Sequence, residues 1–189
     1  LGVTQRGRVE FALRGGGITS DAIDNSGGVD LSDHEVNLKL LCAEAIRAGA
    51  LSLTARNQLL SGIAPAVASL VLADNATHAR TLSMAAIRSQ RNGASLHQLV
   101  RDLQSRGYID RLRDALPDEA ELARRTAQGS SWPRPELAVL MAGVKLWLKD
   151  ELRAAPSEVL PHALMLRLAQ QYFPAELPDS VRACIPQHQ

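Results

Sequence analysis

From Ser32 onward the apolar side chains recur every three or four positions, a spacing that permits little besides packed helices. Leu38, Leu41, Cys42 and Ala45 fall at i, i+3, i+4 and i+7. Leu96, Leu99, Val100 and Leu103 repeat the pattern, and Leu137, Leu140, Met141, Val144 and Leu148 draw a third continuous face. Ahead of Ser32 the character changes, because seven of the thirteen glycines lie within the first thirty residues. The pattern predicts a mainly α protein in which a small loop-rich piece, 1–31, joins a helical domain, 32–189.

Local signals punctuate that reading. Ser32 with Glu35 spells a capping box, which predicts a helix from about Asp33 to Ala48, supported by a Glu35–Lys39 pair and stopped by Gly49. Thr54 suits the cap of the next helix, and Gly62 with Pro65 predicts a break near Ala64. Ser95 with Gln98 makes a second box, for a helix ending at Gly107. Asp118 heads a short helix with Glu121 and Arg125 paired, closed by Gly129, and Pro135 fits the first turn of the helix after it. Another helix runs about His162 to Tyr172, before a PAELP turn. In the opening piece Thr4 suits a helix cap, yet Val9, Phe11 and Leu13 alternate as in a strand, and the period leaves both open. Ile18 to Ile23 reads as a brief extended segment.

Composition removes several functions. Lys and Arg number 21 against 20 Asp and Glu, a formal charge of +1, so neither nucleic acid nor an acidic membrane is an expected partner. With 46% hydrophobic and 22% charged residues the balance is that of a soluble globular protein. Cys42 and Cys184 form no CxxC pair and read as structural thiols of a reducing compartment, so a cytoplasmic location is expected. No apolar run approaches the roughly 20 residues that span a bilayer. The chain opens with Leu1 rather than Met, as expected of numbering that begins inside a longer polypeptide.

The familiar chemical motifs fail on spacing. His34-Glu35 begins like HExxH, but position 38 is Leu, and no two histidines pair at i+3 or i+4, so no metal site is expected. There is no GxSxG, P-loop or GxGxxG. What remains is the stretch DNSGGVDLSDHEVN, Asp24 to Asn37, where Gly27 and Gly28 precede the predicted helix. Adjacent glycines allow positive φ and close ligand approach, and a helix start offers free N–H groups; an ordinary strand-to-helix turn would use the same residues. The Ser32 hydroxyl has capacity both to accept from the Glu35 amide and to donate outward. Asp30, Asp33 and Glu35 crowd the junction with negative charge, so an anionic ligand needs cations from elsewhere.

The run LGVTQRGRVEFALRGG followed by DAIDNSGGVDLSDHEVNLKLL resembles the C-terminal region of the large bacterial NAD-specific glutamate dehydrogenase family, and the likeness continues through SLVLADN, RPELAVLMAGVK and QYFP. The resemblance implies that 1–31 is the end of an α/β, Rossmann-like NAD-binding domain and 32–189 a C-terminal helical domain. It implies oxidation of L-glutamate by NAD and water to 2-oxoglutarate and ammonium, in a cytoplasmic, homo-oligomeric parent enzyme. Asn25-Ser26-Gly27-Gly28-Val29-Asp30-Leu31-Ser32 is similar to the Asn-Ala-Gly-Gly-Val-x-x-Ser segment of the wider superfamily. That likeness implies cofactor contacts for Asn25, Gly27 and Gly28, with Asn25 facing the nicotinamide carboxamide. Val29 would pack on the aliphatic chain of the substrate, and Ser32 would bond its side-chain carboxylate. The catalytic lysine and aspartate of the family, and its glycine fingerprint, would precede Leu1 in the remainder of the parent chain, leaving this piece inactive alone. A second reading makes the helical portion an interaction or regulatory module for oligomerisation or domain closure, with the Leu137 to Leu148 face as a subunit interface or plain core.

Overall fold

The computed structural model describes residues 2–91, 93–130, 132–156 and 163–187, and among them there is no strand. The helices are α1 (Gln5–Leu13), α2 (Asp21–Asp24), α3 (Ser26–Arg47), α4 (Leu53–Gly62), α5 (Ala64–Arg91), α6 (Gly93–Ser105), α7 (Glu119–Ala127), α8 (Arg134–Ala154), α9 (Ala163–Tyr172) and α10 (Asp179–Arg182), closed by a 3-10 turn at Ile185–Gln187. His162, the expected start of the last long helix, lies outside the described residues.

Most terminators act as their chemistry requires. Thr4 accepts from the Gly7 amide at 3.2 Å and starts α1, so the opening apolar residues are helical. Asp118 accepts from the Glu121 amide at 2.8 Å. Gly49, Gly107 and Gly129 leave their helices at φ 70, 79 and 63°, the left-handed region that side chains resist. The chain bends by 48° between α4 and α5. Pro65 sits in the first turn of α5, where its missing N–H has no partner to lose.

Four expectations are corrected. Residues Ile18 to Ile23 are not extended throughout: Ser20 caps α2, which holds Asp21–Asp24. Ser52, not Thr54, caps α4, accepting from the Ala55 amide at 3.1 Å. Neither Ser32 nor Ser95 is a cap, because α3 begins at Ser26 and α6 at Gly93. A capping box stabilises amides that have no helical carbonyl behind them. At Ser32 residues 26–31 are already helical, so those amides bond within the ladder.

Two compact units divide the chain, 1–25 with 76–154 and 26–75 with 155–189. In the first, α1 and α6 pack on α8 around Leu82, Val100, Leu103, Leu122, Leu137 and Leu140. Leu137 and Leu140 are therefore core, whereas Leu148 at the far end of the same face is exposed. In the second, α10 packs on α3 around Leu38, Leu41, Val67, Phe173, Val181 and Ile185. Cys42 and Cys184 are buried free thiols, and burial pushes the Cys42 thiol up. Among the described residues no single helix is long and apolar enough to cross a membrane.

Candidate functional site

Gly27 and Gly28 belong to the first turn of α3, and neither has positive φ. Gly27 lies in a tight packing contact. A Cβ there would stand 2.8 Å from Nδ2 of Asn75 on α5, and the Ser26 hydroxyl donates to Oδ1 of the same Asn75. Close backbone approach, expected of a ligand, is thus made at Gly27 by a side chain of the protein.

Beyond this contact α3 is two-faced. His34, Leu38, Leu41, Cys42 and Ala45 are buried, while Val29, Val36 and Leu40 are each at least half exposed on the opposite face. Ser32 shares that open side and is exposed. Its hydroxyl is not sealed into the core, although its capping role is lost. Glu35 reaches forward to Lys39, whose ammonium holds its carboxyl below the usual range, rather than back to Ser32.

Asn25 is the exposed residue that ends α2, and the turn before it is fixed by Arg8. The buried guanidinium of Arg8 donates to the Thr19 carbonyl at 2.9 Å and to the carboxylates of Asp21 and Asp24. The Thr19 hydroxyl, with Arg8, keeps the Asp24 carboxyl below its ordinary range.

Two polar constellations escaped the sequence reading. Arg125 and Glu136 pair in the core of the first unit, beside a cavity of about 390 Å³ also lined by Arg6, Arg111 and Asp118. Asp30, His34 and Asp74 converge in the second unit, with ligand-type atoms all within 4.8 Å of one another. The i,i+4 spacing of Asp30 and His34 was legible in the sequence; Asp74 joins them only because α5 folds against α3.

Residues 1–85 match the model of the bacterial NAD-glutamate dehydrogenase catalytic domain, and residues 129–189 match that of the glutamate dehydrogenase C-terminal region. The chain is thus of the glutamate dehydrogenase class. It is 40% identical over 188 residues to the NAD-specific glutamate dehydrogenase of Pseudomonas aeruginosa, 38% over 188 to that of Halomonas elongata and 42% over 193 to that of Mycobacterium tuberculosis. Each match covers 100% of this chain, which spans 12% of the length of each relative. The chain belongs to the large bacterial NAD-specific glutamate dehydrogenase family.

Proposed function

We propose that the chain is part of a cytoplasmic, homo-oligomeric NAD-dependent glutamate dehydrogenase, which converts L-glutamate, NAD and water to 2-oxoglutarate, ammonium and NADH. The observation that carries this reading is the Asn25–Ser32 segment, found in a chain of this family with Val29 and Ser32 on the open face of α3. Residues 1–31 would close a Rossmann-like NAD-binding domain, 26–31 being the first turns of α3, and 32–189 would form the helical domain.

NAD supplies the hydride acceptor when bound. The exposed carboxamide of Asn25 suits a nicotinamide carboxamide, and the exposed backbone at Gly28 leaves room for close approach. Gly27, close to Asn75, helps seat the head of α3, and its bare backbone would meet the cofactor beside Gly28. Val29 offers apolar surface to a methylene chain, and the Ser32 hydroxyl a donor to a distal carboxylate. Those contacts orient the α-carbon, and orientation controls the rate of hydride transfer.

Ser32→Ala in the complete enzyme tests the reading. A hydrogen bond to a charged group contributes about 1.5–3 kcal/mol, so the glutamate KM should rise roughly tenfold or more. An unchanged KM with altered assembly would favour the interaction module instead.

A further inference from the structure

We propose that Asp30, His34 and Asp74 bind a divalent transition-metal ion that clips α3 to α5. The first observation is convergence: a carboxylate oxygen from each aspartate and a ring nitrogen of His34 lie within 4.8 Å of one another. The second is independent of it. His34 is 1% exposed, and among the described residues neither ring nitrogen has a hydrogen-bond partner. An imidazole buried in that way has given up its hydrogen bonds to water without replacement unless something else satisfies it.

No described residue performs that service directly. Nε2 lies 3.9 Å from Oδ1 of Asp30, too long for a hydrogen bond. Two ligands of a tetrahedral zinc ion, each at about 2.0–2.2 Å, stand about 3.3–3.5 Å apart, so a shift of about half an ångström brings this pair onto one ion. The ring is also held in place. It stacks on Tyr172 with centroids 4.4 Å apart, and Asn37 donates to the Tyr172 hydroxyl at 3.1 Å, which keeps both planes from turning.

Backbone geometry brings the third ligand. Asp30 and His34 are one helical turn apart on α3, and Asp74 precedes Asn75, the residue that meets Ser26 and Gly27. The absence of a side chain at Gly27 lets α5 come close to the head of α3 at Asn75, the residue next to Asp74. Asp74 is exposed, so its carboxylate has freedom to close the last ångström or so onto an ion and leaves an open side for water. Two carboxylates balance a 2+ charge, and an imidazole nitrogen selects a borderline ion such as Zn²⁺ over Ca²⁺ or Mg²⁺. The missing second ligand of the apparent HExxH is thus supplied from the preceding turn, not the following one.

The test is titration of the complete polypeptide with Zn²⁺ by calorimetry, alongside Asp74→Asn and His34→Gln. One Zn²⁺ per chain should bind with micromolar or tighter Kd, on the order of −8 kcal/mol. Asp74→Asn should weaken binding at least tenfold and abolish the visible absorption of bound Co²⁺. Because His34 is buried, its variant is read only if circular dichroism shows a native helix content; the exposed Asp74 variant carries the test without it. Equal Zn²⁺ affinity in Asp74→Asn and the parent, or no saturable binding, overturns the proposal.

Discussion

Nη1 of Arg125 on α7 lies 2.8 and 3.0 Å from the two carboxylate oxygens of Glu136 on α8, a residue with no exposed surface. Nε of Arg125 meets Glu121 at 2.7 Å, so the arginine has two carboxylate partners. Glu136 has Arg125 as the cation among its hydrogen-bond partners. Losing the arginine strands a buried acid, and above about pH 7, where Glu136 is ionised, breaking such a pair costs about 3–5 kcal/mol. Arg125→Met should therefore lower the urea midpoint far more than Glu136→Gln, which leaves Arg125 its Glu121 contact.

The same pair predicts a pH dependence. Burial, opposed by Arg125, raises the Glu136 carboxyl from 4.5 to about 7. In that window the folded chain holds a proton that the unfolded chain has released, so this contribution is complete below 4.5 and fades as pH rises through 7. Glu121 runs the other way: hydrogen bonds from Arg124 and Arg125 lower it to about 2, and its contribution, present above 4.5, is lost as pH falls toward 2. Thermal melts across these windows should show both limbs, and Glu136→Gln should flatten the upper one alone.

Gly143 on α8 sets the approach of α6. A Cβ at that position would lie 3.0 Å from Leu103 Cδ1 and 3.1 Å from Ile109 Cγ2, and Leu103 is wholly buried. Helix propensity favours alanine by about 1 kcal/mol, whereas overpacking costs about 1–3 kcal/mol. Gly143→Ala should be neutral to destabilising in chemical denaturation, and Gly143→Val clearly destabilising.

Two exposed glycines give opposite signs. Gly107 sits at φ 79°, so Gly107→Ala should destabilise by about 1 kcal/mol. Gly62 closes α4 without positive φ and with open space where a Cβ would go. Gly62→Ala should stabilise by about 0.5–1 kcal/mol. Paired denaturation curves check both, and a gain at Gly107 would show that its turn is not required.

Alternation of polar and apolar residues determined much by itself. The i, i+3, i+4, i+7 face of Leu38, Leu41, Cys42 and Ala45 is buried as expected, and Gly49, Gly107 and Gly129 end their helices where the chain needs left-handed backbone. Those signals are local, and the physics that enforces them acts within one or two turns of the chain.

Helix starts were less legible, because a capping signature is active only where no helix precedes it. Ser32 and Ser95 carry the right chemistry in the wrong surroundings: tertiary contact at Ser26 and Gly27 with Asn75 lets α3 begin ahead of the cap. The family motif Asn25–Ser32 was readable from residue order, but which of its members face outward was not. Pairings such as Arg125 with Glu136, or Asp74 with His34, join separate helices. Side chains distant along the sequence meet only once the helices pack, so the buried charges and the candidate metal ligands were decided by the tertiary structure alone.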